Sequence, residues 1–210
     1  MNNAGYGDVA PFEQLTSERF KAVMDTNFYG VVYVTRAALP IMRTQKSGWI
    51  LLISSVGGRL ALPGSTPYHA AKWAVGGFTE SLAQEVAPFG VRVCALEPGG
   101  MRTNWAARAN KDTPEILPDY QSSVGAVVKS LAPHWGHETS DPAKVAQVIL
   151  RPANSDQLPA HLLLGSDAVQ YASLAEAARA ADADRWRDTS VSTDVDATAS
   201  LPSLRFSARG

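Results

Sequence analysis

Tyr68 and Lys72 are the pair of residues with the clearest chemical potential in this chain. If they lie on a helix, their spacing of four positions places both side chains on one face. A lysine ammonium beside a phenol favours the ionised phenol and lowers its pKa, which is about 10 when unperturbed. A phenol tuned in this way can exchange a proton with an alcohol or ketone oxygen. The pattern is short, and by itself it is more typical of an ordinary tyrosine beside a solvated lysine.

Two further polar residues, Ser55 and Asn27, are candidates for the same site. Ser55 follows the apolar run at residues 49–53, which is typical of a strand buried on both faces of a parallel sheet. Open α/β sheets bind ligands at the carboxyl ends of their strands, so the Ser55 hydroxyl could donate to a substrate oxygen. Asn27 lies in an otherwise apolar helical pattern. A buried amide there needs partners, either backbone groups or ordered water.

The surrounding pattern alternates helices with short buried strands. Thr16 can cap a helix that carries Asn27. Strands are predicted at residues 49–53, 91–96 and 162–164, and helices at residues 31–43, 70–89 and 167–187, with a further helix starting at Asp141–Pro142. This alternation predicts an α/β fold with a parallel sheet. Residues 1–187 are predicted to form one domain, and residues 188–210, rich in Ser, Thr, Asp and Ala, a disordered tail.

Composition excludes several classes of protein. The 210 residues are 45% hydrophobic and 19% charged with a net charge of -1, which gives no electrostatic footprint for nucleic acid or an anionic membrane. The apolar runs are too short to span a bilayer, and no signal peptide is recognisable. Cys94, the single cysteine, cannot form an internal disulfide. We therefore expect a soluble cytoplasmic protein.

The histidines are not expected to do chemistry. His134 and His137 have no third ligand at a usual spacing, so no metal site is predicted. His69 is the neighbour of Tyr68, but on a helix its side chain points about 100° away, which favours a surface or interface role. A serine-hydrolase interpretation of Ser55 is remote because no Gly-x-Ser-x-Gly elbow is present.

Taken together, these residues resemble the short-chain dehydrogenase/reductase family, most closely its hydroxysteroid- and retinol-dehydrogenase-like branch. Residues 2–5, Asn-Asn-Ala-Gly, are similar to the family element that ends its fourth strand. Asn27 matches the catalytic asparagine, and Ser55, thirteen positions before Tyr68, matches the catalytic serine. Residues 98–103 are similar to the family's Pro-Gly-x-x-x-Thr segment. The resemblance implies a Rossmann-like doubly wound parallel sheet.

The same resemblance implies a reaction and a set of roles. The reaction is hydride transfer between a nicotinamide and a carbonyl or alcohol carbon, with NADP or NAD as cofactor. Tyr68 is implied to be the acid/base, Ser55 to bind the substrate oxygen, and Lys72 to hold the ribose and lower the Tyr68 pKa. Asn27 is implied to support a water relay. The implied cofactor-binding residues are Asn2, Asn3, Ala4, Gly5, Tyr68, Lys72, Pro98, Gly99, Met101 and Thr103.

Partners are implied in the same way. The apolar content of residues 105–134, which cover the pocket in this family, suggests a small, moderately apolar alcohol or ketone substrate. The same residues are equally consistent with a lid that packs onto the core. The helical faces at residues 31–43 and 70–89 pair across a two-fold axis in the family, so a homodimer or homotetramer is expected.

The family's first strand and glycine-rich turn have no counterpart before Asn2. Residues 5–10 match G-x-G-x-x-A, but no full strand precedes them and no clear helix follows, so they are not expected to hold a pyrophosphate. We therefore expect an N-terminally truncated dehydrogenase domain whose dinucleotide affinity is weak. The alternative is a catalytically inactive fragment or pseudoenzyme that cannot bind the dinucleotide.

Overall fold

A computed structural model describes residues 1–150 and 158–195. Its centre is a sheet of three parallel strands, β1 (Gly48–Ile53), β2 (Val91–Pro98) and β3 (His161–Leu164), in the order β1-β2-β3. Gly48 pairs with Val91 at the start of the β1–β2 register. Because all three strands run the same way, their carboxyl ends meet at one edge of the sheet.

Asn2 extends this sheet by one residue that forms backbone hydrogen bonds with β1. Its backbone N–H donates to the carbonyl of Leu51 at 2.8 Å, and its carbonyl accepts from the N–H of Ile53 at 2.9 Å. These groups of β1 face away from β2, so Asn2 lies on the opposite side of β1. Residues 3–5 consequently leave the sheet beside the carboxyl end of β1.

Eight α-helices surround the sheet within the described residues. Their bounds are α1 Ser17–Met24, α2 Gly30–Gln45, α3 Thr66–Val86, α4 Trp105–Asn110, α5 Ala126–Leu131, α6 Pro142–Leu150, α7 Ser166–Arg185 and α8 Arg187–Val191. Short 3₁₀ turns lie at Phe12–Gln14, Val56–Gly58, Ala87–Phe89, Pro118–Tyr120 and Ala132–His134, and π-helical turns at Asp25–Tyr29 and Gln121–Gly125.

The core has a layer on each face of the sheet, because successive strand residues point to opposite faces. On one face Ile50 and Leu52 pack with Val75 and Leu82 of α3. On the other, Leu51, Cys94, Leu96 and Leu164 form a cluster against which side chains of α6 pack. Helices therefore cover both faces, which is the Rossmann-like α/β arrangement that the sequence predicted.

The predicted strands and the predicted helix cap agree with these elements. The three predicted strands are present, and the Thr16 hydroxyl caps α1 by accepting from the N–H of Arg19 at 3.2 Å. The first residues of the predicted disordered tail instead form α8, while residues 196–210 lie outside the described residues. The domain division therefore stays a prediction. Over the described parts of the chain, none of the helices has the length and apolar character needed to cross a membrane.

Candidate active site

Ser55 lies directly beyond the carboxyl end of β1, at the start of a tight turn. Its backbone is extended, and its Oγ accepts a hydrogen bond from the N–H of Gly57 at 3.0 Å, which caps the 3₁₀ turn Val56–Gly58. This cap fixes the position of the hydroxyl oxygen. The hydroxyl proton stays available for a second partner, because the oxygen acts as an acceptor in this contact.

Tyr68 and Lys72 lie in the first two turns of α3, and their side chains approach the end of β1. The Lys72 Nζ donates to the carbonyl of Ile53 at 2.8 Å and lies 5.6 Å from the centroid of the Tyr68 ring. Lys72 is only 3% exposed. Burying a lysine this deeply, with one backbone carbonyl as its hydrogen-bond partner, lowers the stability of the folded protein.

Burial controls the ionisation of both groups. It lowers the pKa of Lys72 to about 8. It raises the pKa of the Tyr68 phenol above its usual value, and hydrogen bonding with Ser55 acts in the opposite direction. The prediction that Lys72 lowers the Tyr68 pKa is therefore wrong for this structure. Desolvation of the phenol is the dominant influence on its pKa, and the Lys72 ammonium is directed at the Ile53 carbonyl instead.

Asn27 lies in the π-helical turn Asp25–Tyr29, between α1 and α2. Such turns widen a helix locally and are frequent at functional sites. The Asn27 amide donates to the carbonyls of Tyr6 at 2.8 Å and Val23 at 2.9 Å. Its Oδ1 is buried and has no hydrogen-bond partner among the described residues.

Gly5 connects Asn27 with Lys72. A Cβ at position 5 would lie 2.8 Å from the Asn27 Oδ1 and 3.6 Å from the Lys72 Nζ. Both polar atoms therefore border the same small space, and only a glycine leaves it open. An unpartnered acceptor and a buried amine at one space form a place where a water or a ligand hydroxyl can bind.

Residues 98–103 follow β2 and are tied to the segments beside it. The N–H of Gly99 donates to the carbonyl of Leu164 at 3.0 Å, and the N–H of Gly100 donates to the Asp167 Oδ2 at 2.7 Å. Thr103 accepts from the N–H of Trp105 at 3.2 Å. The segment thus lies at the same sheet edge as Ser55. Asp167, at the start of α7, is a supporting residue that the sequence analysis missed.

His69 is placed differently from its prediction. It is buried, with only 9% of its surface exposed, so the predicted surface role is wrong. The helix directs its ring toward the turn after β1, where Nδ1 meets the carbonyl of Gly57 at 2.8 Å and Nε2 accepts from the N–H of Leu62 at 3.0 Å. Helical periodicity could not reveal this, because the burial comes from the loop that packs over α3.

A buried ion cluster supports the same turn. Glu97 is fully buried at the end of β2 and contacts the Arg59 Nε at 3.0 Å and the His161 Nδ1 at 2.7 Å. Arg59 directly follows the turn that begins at Ser55, so this pair ties the turn to β2. Within the described residues, no group of three or more His, Cys, Asp and Glu side chains could hold a metal ion.

A cavity of about 200 Å³ opens beside Tyr68. The Trp105 ring lines this cavity and also packs against the Tyr68 ring, with the two ring centroids 5.3 Å apart. The walls combine aromatic rings with charged groups, including Asp8, which is paired with Arg19 at 2.7 Å. The lining residues are Tyr6, Gly7, Asp8, Arg19, Trp105, Arg108, Ala109 and Asp112.

Known proteins resemble this chain in sequence and in fold. The family profile described as short chain dehydrogenase matches residues 1–114. Oxidoreductase BOA17 of Botryotinia fuckeliana (strain B05.10) is 45% identical over 193 residues, which are 92% of this chain and 70% of that protein.

Two solved structures extend the comparison to the fold. A short-chain dehydrogenase from Streptomyces avermitilis matches with a TM-score of 0.81 and 36% identity, over 92% of this chain and 70% of that one. A gluconate 5-dehydrogenase from Burkholderia cenocepacia J2315, in complex with NADP and tartrate, matches with a TM-score of 0.63 and 26% identity, over 80% of this chain and 63% of that one.

The parallel sheet with helices on both faces defines a Rossmann-like α/β protein, and its polar cluster lies at the carboxyl edge where such sheets bind ligands. The profile match and the fungal relative identify the group within this class. The chain belongs to the short-chain dehydrogenase/reductase family.

Proposed function

We propose that this chain carries the catalytic part of an NAD(P)-dependent oxidoreductase that interconverts an alcohol and a carbonyl compound. The observation that carries the proposal is the buried Lys72 amine. It lies 5.6 Å from the centroid of the Tyr68 ring, at the carboxyl edge of the sheet, and borders the same space beside Gly5 as the Asn27 Oδ1, which has no partner among the described residues. An apolar side chain could fill this buried position without the cost of desolvating an amine. An amine there is instead suited to exchange protons and to bind hydroxyl groups.

The residues present fit the nicotinamide end of a dinucleotide. The open space beside Gly5 exposes one donor, the Lys72 amine, and one acceptor, the Asn27 Oδ1, which suits ribose hydroxyls and a bridging water. Lys72 and Tyr68 would hold the ribose, while residues 2–5 and 98–103 would border the ring. The nicotinamide, when bound, supplies or accepts the hydride. The cofactor in this proposal is NADP or NAD.

Side chains of this protein transfer the proton in the proposed reaction. Burial raises the pKa of Tyr68, so its phenol is protonated near neutral pH and can donate to the oxygen of a carbonyl substrate. Ser55 donates a hydrogen bond to that oxygen from its fixed position. Lys72, with a pKa of about 8, can gain and lose a proton near neutrality. Water at the Asn27 Oδ1 would then return protons from solvent.

The substrate in this proposal is a small alcohol or ketone with a moderately apolar body. The support comes from the aromatic rings of Trp105 and Tyr6, which line the cavity beside Tyr68. Two charged side chains of the cavity, Arg19 and Asp8, form an ion pair with each other and would border the substrate.

Substitution of Tyr68 by Phe tests the proposal. We expect turnover of NADPH or NADH with a panel of small ketones to fall by about 10²–10⁴-fold, because only the proton-carrying hydroxyl is removed. Tyr171→Phe, at an exposed tyrosine of α7, is the matched control and should keep full turnover. Tyr68→Phe with undiminished turnover would rule out Tyr68 as the acid/base.

Nucleotide titration separates this function from the inactive alternative. The chain contains five tryptophans, and Trp105 lies beside Tyr68, so NADPH or NADH binding should quench the intrinsic fluorescence. Saturable quenching supports the oxidoreductase. If neither nucleotide quenches at millimolar concentration, the fragment or pseudoenzyme hypothesis takes its place.

We also propose that the protein assembles as a homodimer or homotetramer through α2 and α3. An open groove of about 470 Å³ runs between these helices, and its apolar lining includes Val32, Leu39, Phe78, Leu82 and Phe89. Light scattering should show a dimer or larger species at micromolar concentration. Phe89→Lys should dissociate it, while Leu174→Lys on the exposed face of α7 should not. A wild-type monomer at that concentration would contradict this assembly.

A further inference from the structure

The turn that carries Ser55 is held by a side chain that lies outside the proposed catalytic group. Gly57 is central to it, because its N–H donates to the Ser55 Oγ at 3.0 Å while its carbonyl meets the His69 Nδ1 at 2.8 Å. A Cβ at position 57 would lie 3.1 Å from that Nδ1 and 3.2 Å from the Tyr68 ring. A single residue thus connects the histidine with the serine, through its N–H on one side and its carbonyl on the other.

The two contacts of His69 determine its protonation state. The Nε2 accepts from the N–H of Leu62 at 3.0 Å, so it carries no proton. The Gly57 carbonyl can only accept, so Nδ1 must carry one. The ring is therefore neutral, in its Nδ1–H form, and it bridges two points of the loop five residues apart.

We infer that His69 is a positioning residue that fixes the Ser55 hydroxyl against Tyr68 by clamping the loop from Gly57 to Leu62. The inference rests on the proposed function for the role of Ser55, but the contacts of His69 can be tested without measuring turnover. Ser55 has no rigid element of its own beyond β1, since it starts a three-residue turn. Its oxygen is held by the Gly57 N–H, and the clamp holds Gly57.

The clamp has a defined pH dependence. The surroundings of the ring are the Tyr68 ring, at 5.9 Å on the same helix, and backbone groups of the opposing loop. Burial lowers the pKa of His69 below 6.5, so the neutral form prevails at neutral pH. Protonation would place a donor where the Leu62 N–H also donates. The clamp is therefore present above pH 6.5 and is lost as the pH falls through the lowered pKa.

Nuclear magnetic resonance of the labelled full chain tests the inference without any substrate. Long-range ¹H–¹⁵N spectra at pH 7.5 should assign His69 to the Nδ1–H form, with a coupling across the hydrogen bond from the Leu62 nitrogen to Nε2. The four histidines of the chain can be assigned by single substitutions. An Nε2–H form or an imidazolium at this pH would overturn the inference.

Substitutions then test the link to Ser55. His69→Gln keeps one donor and one acceptor and should leave hydrogen-exchange protection of the Gly57 amide near the wild-type value. His69→Leu should reduce it by about tenfold, the equivalent of one lost hydrogen bond. The amide of Val93, in the core strand β2, should keep its protection in both variants. His134→Leu, at an exposed histidine, is the control.

A double substitution tests whether His69 acts on the contact between Gly57 and Ser55 or stabilises the loop in general. Ser55→Ala should itself remove protection at Gly57, and adding His69→Leu should then have no further effect there. If the two effects add in full, or if His69→Gln behaves like His69→Leu, the inference is wrong. Should His69→Leu not fold, the spectra of the wild type and the Gln variant still decide it. Failure of the proposed function would instead appear as full turnover in Tyr68→Phe.

Discussion

Replacing Lys72 with Met should stabilise the folded protein at neutral pH although it removes a proposed functional group. Lys72 is 3% exposed, and its charged form must be accommodated away from water. Met has a similar volume and a flexible, apolar chain, so it can fill the same space without the desolvation cost. The substitution therefore isolates the energetic cost of the buried amine.

The magnitude follows from the pKa. A fall from 10.5 to about 8 corresponds to about 3 kcal/mol of destabilisation by the charged form at pH 7. Leaving the Ile53 carbonyl without its Lys72 donor costs about 1–3 kcal/mol in return. A net stabilisation of about 1 kcal/mol is expected, which raises Tm by about 2–4 °C for a protein of this size.

The pH dependence gives the sharper test. Between pH 8 and 10.5 the unfolded lysine holds a proton that the folded one has lost, so wild-type stability rises with pH across this window. Because the wild type regains about 1.4 kcal/mol per pH unit in this window, the advantage of about 1 kcal/mol for Lys72→Met should vanish at about pH 9. Above that pH the variant should be the less stable protein, because it still lacks the hydrogen bond to Ile53. Urea unfolding at several pH values measures this, with Lys129→Met at an exposed site as control. A constant difference between the proteins would refute the reasoning.

Two further substitutions test the supports of the site. Glu97→Gln should cost about 3–5 kcal/mol in urea unfolding, because the Arg59 guanidinium loses its buried counter-charge. Glu176→Gln, at the exposed partner of the same Arg59, should cost less than about 1 kcal/mol, and equal losses would contradict the role of burial. Gly5→Ala would place a Cβ 2.8 Å from the Asn27 Oδ1. It should lower ketone turnover at least about tenfold if that oxygen acts in the reaction, whereas full turnover would exclude such a role.

The sequence was sufficient for the elements that follow periodic rules. The strand at residues 49–53 is an uninterrupted apolar run, and β1 occupies the same residues and one more. The helix at residues 70–89 predicted from its apolar stripe corresponds to α3 and the 3₁₀ turn after it. The prediction of Tyr68 and Ser55 as site residues came from family motifs, because a match at family-like spacing does not depend on packing.

Packing decided what the sequence could not give. The pKa of Tyr68 moves upward because of what surrounds the phenol, and a spacing of four residues contains no information on exclusion of water. His69 is buried by a loop that joins β1 to α3, and Asp167 meets Gly100 from 67 positions away. Both contacts depend on the complete fold, so no local pattern predicts them.

The places where this chain departs from ordinary packing rules coincide. A buried amine with a single backbone carbonyl, a buried amide oxygen without a partner among the described residues, and a π-helical turn all lie around Gly5. Each of them lowers stability if the protein is considered alone. Several destabilising features at one point are typical of a functional site when the rest of the fold is consistent with its sequence. This concentration at Gly5, between Asn27 and Lys72, argues for a ligand hydroxyl or water as the missing partner.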